Sequence, residues 1–393
     1  MKKLRVLCWS DWFRQKSGYA KEMRDILPFL KKEYEVAYVA LWYGGYPLEM
    51  DMKVYPTKNE EMTSVWAPEA LQYAIEDFQP DIVFTNQDYF PLKSIAFVMA
   101  HPGKHKWVHY GLFEGNNLDF DAFEPCKWVH QHVFKTEFAR KEMQKAIPEI
   151  DGPVIYPSLD NSVFYEMDKK SLRKEYNLDK KKVIICVARP QLRKNVPVLL
   201  EAMKIVIKKI PEAILILAST HTTKTQEGKT DGHNVDGFIK LFELEDHVIM
   251  PRNKDNKPLS DEILNMQYNL ADVNVLSSFG EGFGLSVTEA GACGVPSVGP
   301  DHAATTEVIG DRGLLVKPRA YIYSANGSKQ CAIHPEDLAK QLIKILLDDK
   351  LREEMGKKSK KFALELTPES RAKQLMDVFE KTISQDKKNL IIK

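Results

Sequence analysis

The sequence predicts an α/β protein of two domains, each a parallel β-sheet with helices on both faces. Three observations carry this. Short apolar, β-branched runs alternate with amphipathic helical patterns. The alternation restarts after a polar, lysine-rich stretch. The chain, at 393 residues, is longer than one hydrophobic core usually supports.

In chain order, 4–9, 35–41, 81–85, 106–110 and 154–156 read as buried strands, because short, continuous apolar runs fit a sheet covered on both faces. Helices lie between them. In 19–30, Met23, Ile26, Leu27 and Leu30 recur at helical spacing, and in 68–78 Leu71, Ala74 and Ile75 share one face. Residues 160–182 have the composition of a linker and a surface helix. Beyond them, 183–188 and 214–218 read as strands around a helix carrying Leu199, Met203, Val206 and Ile207. Further strands are expected at 248–250, 272–276 and 295–298, and an amphipathic helix at 336–347, opened by Pro335. Two consecutive Rossmann-like units with a cleft between them is the architecture this pattern predicts.

Composition narrows the function. With 44% hydrophobic and 28% charged residues the chain has ordinary globular composition. Its 56 basic and 55 acidic side chains leave a net charge of +1, so no global field draws in nucleic acid, and no such partner is expected. Cys8, Cys126, Cys186, Cys293 and Cys331 are scattered without CxxC spacing, which argues against a disulfide framework or structural zinc. The first apolar run is cut off by Asp11 and Arg14, too soon for a signal peptide. No run of about 18 apolar residues suggests a spanning helix. The reducing cytoplasm is the expected location. The lysine-rich end, with Lys387 and Lys388, reads as a solvated tail and as the candidate for peripheral contact with an anionic membrane.

The most informative stretch, 277–298, reads SSFGEGFGLSVTEAGACGVPSV. A strand ends near Ser277, and Gly280, Gly282 and Gly284 then allow unusual backbone angles and close approach of a ligand to main-chain N–H groups. A helix is predicted from Gly284 or Leu285 to about Gly294, a helix-ending residue. Ala290, Gly291 and Ala292 make one side of it small, so that it can lie close to the sheet. Strand, glycine turn and helix N-terminus together form an anion site, because unpaired N–H groups and the positive end of the helix dipole converge there. A diphosphate is the expected guest. Glu281, in the turn, is placed to face a sugar. Glu289, about one turn into the helix, is placed to accept hydrogen bonds from vicinal ribose hydroxyls.

This stretch resembles the retaining GT-B glycosyltransferases typified by sucrose, mannosyl and lipopolysaccharide-core transferases, whose signature is two glutamates separated by seven residues. Glu281 and Glu289 match it, with the small residues and the Gly294-Val295-Pro296 that follow. The flanks 271–278 and 307–316 are similar too, so the resemblance spans most of the second half. At 187–194, VARPQLRK, the family carries an arginine at a strand end and a lysine five residues later that hold the donor diphosphate. Arg189 and Lys194 occupy those positions, and Arg193 can substitute for either. Two fixed cations beside a helix N-terminus can neutralise a diphosphate leaving group without magnesium, so neither metal nor cofactor is expected. The fold implied is GT-B: two Rossmann-like domains whose parallel sheets face an interdomain cleft. Residues 1–165 would bind the acceptor and 166–367 the donor, with a helix at about 368–386 packing back on the first domain.

The first half matches through fewer residues. The family's glycine-rich loop after the first strand corresponds to 16–20, KSGYA, with Gly18 as its one glycine. Residues 154–164 resemble the loop that enters the second domain but lack its Asn-Gly pair. Many members place a histidine facing the transferred sugar; His109, in WVHYG, fits, with Asp88 a second contributor. The resemblance thus implies Glu281, Arg189, Lys194 and His109 as catalytic, and Gly18, Gly282, Phe283, Gly284, Leu285 and Glu289 as donor-binding.

The expected reaction moves a hexosyl group from a UDP-, GDP- or ADP-sugar to a hydroxyl of a glycan, lipid-linked or small-molecule acceptor. Retention by front-face substitution is implied, the departing diphosphate taking the acceptor's proton. A sugar-nucleotide epimerase on the same fold and a non-catalytic sugar-nucleotide-binding subunit are the alternatives. Asp119 and Asp121 form an Asp-x-Asp pair, the metal site of a different glycosyltransferase fold, and read here as a surface loop. Trp42, Tyr43 and Tyr46 form either an acceptor-binding lip or plain packing. The nucleobase, the sugar, the acceptor and the oligomeric state stay open.

Overall fold

The computed structural model describes residues 3–46, 49–57, 64–100, 105–116, 121–218, 232–251, 259–324 and 327–391, with 121–122 and 385–391 described by backbone alone. Asp119 and the side chains of Asp121, Lys387 and Lys388 therefore lie outside the described residues. Two compact units divide the chain. Met1–Phe113, Asn117–Ser158 and Leu366–Lys393 form the first, and Glu114–Asn116 with Leu159–Glu365 the second.

The first unit runs β1 (Arg5–Asp11), α1 (Gly18–Glu33), β2 (Glu35–Leu41), β3 (Lys53–Pro56), α2 (Pro68–Phe78), β4 (Ile82–Asn86), α3 (Leu92–Ala100), β5 (Lys106–Gly111), β6 (Gln131–Phe134) and α4 (Glu137–Ala146). Its six strands are parallel, in the order β3-β2-β1-β4-β5-β6. Successive residues of β1 serve opposite faces. Leu7 and Trp9 pack with Leu71 of α2, Ile95 of α3 and Met143 of α4, whereas Val6 and Cys8 pack with Met23 and Ile26 of α1. The C-terminal helix Pro368–Ile391 covers this second face beside α1, with the Phe379 ring 5.9 Å from that of Tyr34 and 5.2 Å from that of Phe84. Ser17 caps α1 by accepting from Ala20 N at 3.1 Å, and Lys31 and Lys32 complement the dipole in its last turn.

The second unit continues with α5 (Lys169–Glu175), β7 (Lys182–Val187), α6 (Val196–Lys209), β8 (Ala213–Ala218), α7 (Val235–Leu241), β9 (Val248–Ile249), α8 (Asp261–Leu270), β10 (Val273–Val275), α9 (Leu285–Ala292), β11 (Ser297–Pro300), α10 (Ala304–Ile309) and β12 (Gly313–Val316). An antiparallel hairpin, β13 (Ala320–Tyr323) and β14 (Lys329–Ala332), precedes α11 (Pro335–Leu347) and α12 (Asp349–Leu364). The main sheet is parallel, in the order β12-β11-β10-β7-β8-β9. All five cysteines are buried and free.

Three expectations need correction. Residues 154–156 form no strand: Val154 makes a single bridge to Phe134, because Pro153 and Pro157 on either side supply no N–H to a ladder. The strand expected at 295–298 begins two residues later, past Pro296, and runs to Pro300. Gly291, on the small side of α9, meets α12 and not the sheet. A side chain at Gly291 would lie 2.9 Å from both the carbonyl and the hydroxyl of Ser359, and one at Gly356 would overlap the Gly294 carbonyl, so the small residues serve close contact between α9 and α12.

Candidate functional site

In an open parallel sheet, ligands bind beyond the carboxyl ends of the strands, where the strand order reverses. In the second unit that point lies between β7, which continues to β8 on one side, and β10 on the other. The segments leaving these neighbouring strands are 188–195 and 276–284. They are stitched together by Phe279 N donating to Arg193 O at 2.8 Å and Ser277 Oγ donating to Lys194 O at 2.9 Å.

Glu281 is the hub of this site. Lys194 Nζ lies 2.7 and 2.9 Å from its two oxygens, Arg193 Nη1 lies 3.2 Å away, and Ser278 Oγ donates at 2.5 Å. Arg193 also donates to Gly280 O at 2.6 Å and pairs through Nη2 with Glu114 at 2.9 Å. The result is an alternating series of charges, Glu114, Arg193, Glu281, Lys194. Burial by itself would raise the Glu281 pKa, but Lys194 and Arg193 outweigh it and hold the carboxyl at about 2. Glu114 goes the other way: burial dominates over Arg193, the Glu281 charge adds to it, and its pKa is raised. Burial also lowers the Lys194 pKa, against the pull of Glu281. Gly280 has to be glycine here, since a side chain would overlap the Glu114 carbonyl oxygen.

Arg189 takes no part in these ion pairs; it is exposed, ahead of Pro190. The short 3₁₀ turn Leu192–Lys194 instead brings Arg193 and Lys194 to the carboxylate together. Of the two arginines weighed from the sequence, Arg193 is the one at Glu281. Glu114 was missed altogether, being 167 positions before Glu281 with no local pattern to mark it.

Gly282 and Phe283 are buried beside Glu281, and Gly284 is the N-cap of α9 with φ of 91°, a conformation that favours glycine. No side chain caps α9 among the described residues, so its first turn, beginning at Leu285, keeps main-chain N–H groups and the positive end of the dipole for an anion. The helix ends in a Schellman turn: Val295 N donates to Ala290 O at 2.9 Å, with Gly294 at φ of 73°. Glu289, in the second turn of α9, is buried, and its Oε2 accepts from the Tyr268 hydroxyl at 2.8 Å.

Gly18 and His109 belong to the first unit. Gly18 is the first residue of α1, which follows β1 at that sheet's own reversal point. Behind it, Asp11 accepts from Ser17 Oγ at 2.5 Å and Gln87 Nε2 at 2.6 Å, so a carboxylate already stands near the positive end of α1. His109 is fully buried at the carboxyl end of β5. Its Nδ1 lies 2.9 Å from Thr85 Oγ1, which also accepts from Trp107 Nε1 at 2.8 Å. Its Nε2 finds no partner among the described residues. Burial pushes its pKa well below the usual histidine value, so the ring is neutral. Asp88 is half-buried and acts at a distance on Lys135. Lys135, fully buried, pairs with Glu22 at 2.5 Å and stands over the rings of Tyr19 and Tyr110. No sequence pattern announced that pair. Trp42 and Tyr46 are exposed, while Tyr43 is buried and stacked on Trp12 at 4.4 Å.

Among the described residues, no three His, Cys, Asp or Glu side chains cluster as metal ligands, and no helix is long and apolar enough to cross a membrane.

Residues 168–362 match the family described as Glycosyl transferases group 1. The chain is 26% identical over 221 residues to N-acetyl-alpha-D-glucosaminyl L-malate synthase of Bacillus anthracis, a match covering 56% of this chain and 50% of that protein. A sucrose-phosphate synthase from Thermosynechococcus elongatus superimposes with a TM-score of 0.77 at 16% identity, over 98% of this chain and 100% of that one. HepE of Anabaena, solved in complex with UDP-glucose, gives a TM-score of 0.72 at 13% identity, over 96% of this chain and 100% of that one. These likenesses establish the GT-B fold.

Proposed function

We propose that the chain, whose residues 168–362 match the Glycosyl transferases group 1 family, is a retaining glycosyltransferase that needs no metal. It transfers a hexosyl group from a UDP-, GDP- or ADP-sugar to the hydroxyl of an acceptor glycan, lipid-linked sugar or small molecule. The observation that carries this reading is the convergence of Arg193, Lys194 and Glu281 beside the uncapped N-terminus of α9. The UDP-glucose bound by the Anabaena protein of the same fold supports a nucleotide-sugar donor.

In this scheme the diphosphate lies on the first turn of α9, and Lys194 and Arg193 turn part of their charge from Glu281 towards it. The bond between the anomeric carbon and the diphosphate oxygen lengthens, and the sugar gains oxocarbenium character. Negative charge accumulates on the leaving oxygen, where main-chain N–H groups and cations fixed in advance stabilise it most. That oxygen takes the proton of the acceptor hydroxyl as the new bond forms on the same face, so configuration is kept. Glu281, ionised at every working pH, orients the two cations and faces the sugar. Glu289 receives the ribose hydroxyls. Neutral His109, whose Nε2 finds no partner among the described residues, is the group assigned to the transferred sugar.

The test is a panel of UDP-, GDP- and ADP-sugars with and without acceptors, following nucleoside diphosphate release, product anomeric configuration by NMR, and the effect of EDTA. Acceptor-dependent release with retention, unaffected by EDTA, is expected, with Lys194→Ala and Arg193→Ala at least a hundredfold slower. Turnover of those variants within a few-fold of wild type overturns the scheme. Sugar interconversion without diphosphate release would mark an epimerase, and silence a binding subunit.

A further inference from the structure

We infer that Tyr268 is a positioning residue of the donor site, whose buried hydroxyl holds the Glu289 carboxylate in the orientation that receives the nucleotide ribose. The inference rests on the reading of Glu289 given above and extends it to a residue on another helix. Tyr268 lies on α8, its side chain fully buried, and its hydroxyl donates to Glu289 Oε2 at 2.8 Å. A hydrogen bond from a neutral hydroxyl to an ionised carboxylate is among the stronger kinds. The proton stays on the phenol, because burial and then the Glu289 charge raise its pKa well above 10.

The donor is itself held firmly. The Phe164 ring meets Tyr268 edge-on at 6.2 Å. Three residues before it and one after it on α8, further groups fix the helix: Asn265 Oδ1 accepts from Tyr165 N at 3.0 Å, and Asn269 Oδ1 accepts from Met167 N at 2.7 Å. Asn265 Oδ1 also receives Cys293 Sγ at 3.0 Å, just past the end of α9. Tyr268 is therefore anchored to the segment 164–167 on one side and reaches α9 on the other. A glutamate has three side-chain torsions to settle before it can meet two vicinal hydroxyls. The phenol takes up one acceptor position of one oxygen and settles those torsions before the nucleotide arrives.

Tyr268→Phe keeps the ring and removes only the hydroxyl. Binding of UDP, GDP and ADP, and of their 2′,3′-dideoxy forms, to wild type and variant separates positioning from a purely structural tie between α8 and α9. Wild type should prefer the ribose form of the nucleotide it binds by about tenfold or more. The variant should bind that ribose form about tenfold more weakly while binding the dideoxy form as wild type does, so that the preference collapses towards one. KM for the donor should rise with kcat changed less than twofold, and Glu289→Gln should remove the same preference without adding to Tyr268→Phe. Equal weakening of both forms, or an unchanged preference with a lowered melting temperature, would show that the hydroxyl merely braces the fold and overturn the inference. If wild type bound ribose and dideoxy forms alike, the role given to Glu289 would fall and Tyr268 with it. Failure to bind any of the nucleotides would instead refute the donor reading itself.

Discussion

Replacing Glu281 by glutamine keeps the size of the side chain and removes the charge that Lys194 and Arg193 share. Its carboxyl sits at about 2 in the folded protein against an ordinary 4.5. At about 1.4 kcal/mol for each tenfold change in proton affinity, the ionised form contributes roughly 3 kcal/mol to the second unit at neutral pH. Breaking a buried ion pair from one side costs a similar ~3–5 kcal/mol, so two routes give the same order. The sign follows from the depressed pKa: the contribution is complete above the unfolded value, near 4.5, and disappears as pH falls through the folded value, near 2.

Urea denaturation followed by far-ultraviolet circular dichroism is the appropriate assay. All six tryptophans, Trp9, Trp12, Trp42, Trp66, Trp107 and Trp128, lie in the first unit, so their fluorescence does not report on the second. With a urea slope of about 3 kcal/mol/M the midpoint should drop by about 1 M at pH 7. The gap between wild type and variant should stay nearly constant down to pH 5 and shrink by about half near pH 3. A gap under about 1 kcal/mol at pH 7, or one that does not change over that range, would show that Glu281 is not held as a buried ion-pair hub.

Gly284→Ala places a β-carbon on a residue with φ of 91° and should destabilise the turn by about 1–2 kcal/mol, raising the donor KM by moving the first turn of α9; calorimetry and steady-state kinetics check both. His109 should stay neutral from pH 8 to pH 5, because burial lowers its pKa, so the kcat/KM profile should lack a histidine limb and its ring resonances in NMR should not titrate over that range. By the same linkage, an unfolded histidine binds a proton that the folded one refuses, so His109 makes the first unit less stable as pH falls below about 6.5. Lys135→Met leaves Glu22 buried without its cation and should destabilise the first unit by about 3–5 kcal/mol, read directly from tryptophan fluorescence in urea.

The strands that could be read in advance were those buried on both faces. Glu35–Leu41 and Lys106–Gly111 are continuous apolar runs because helices cover each side of the sheet. The strands that escaped, β3, β6, β12, β13 and β14, are four residues each, and several are mixed: β3 begins with Lys53 and ends with Pro56 at the sheet edge, and β6 carries Gln131 and His132. In the candidate site, Lys194, Glu281 and Glu289 were legible because one local spacing carries each of them. That Arg193 reaches Glu281 is not carried by spacing, since it depends on the 3₁₀ turn Leu192–Lys194, whereas Arg189 lies ahead of that turn. Glu114 and Tyr268 reach their partners from distant segments, and long-range pairing of this kind leaves no periodicity to detect. That Gly291 of α9 meets α12 was unreadable for the same reason. Alanine and glycine permit close approach to whatever is adjacent, and only the fold decides that the neighbour is α12.

That meeting of α9 with α12 is backbone against backbone, at Gly291 on Ser359 and at Gly356 on the Gly294 carbonyl. A new rotamer of Ser359 would relieve only its hydroxyl, and the carbonyls of Ser359 and Gly294 would still oppose a methyl group added at Gly291 or Gly356, so the helix itself has to shift. The carboxyl end of the helix whose amino end would grip the diphosphate is thus buttressed by a segment more than sixty residues downstream. Shortened versions of this protein that stop ahead of Asp349 would retain every strand of the second unit and still leave the carboxyl end of α9 unsupported.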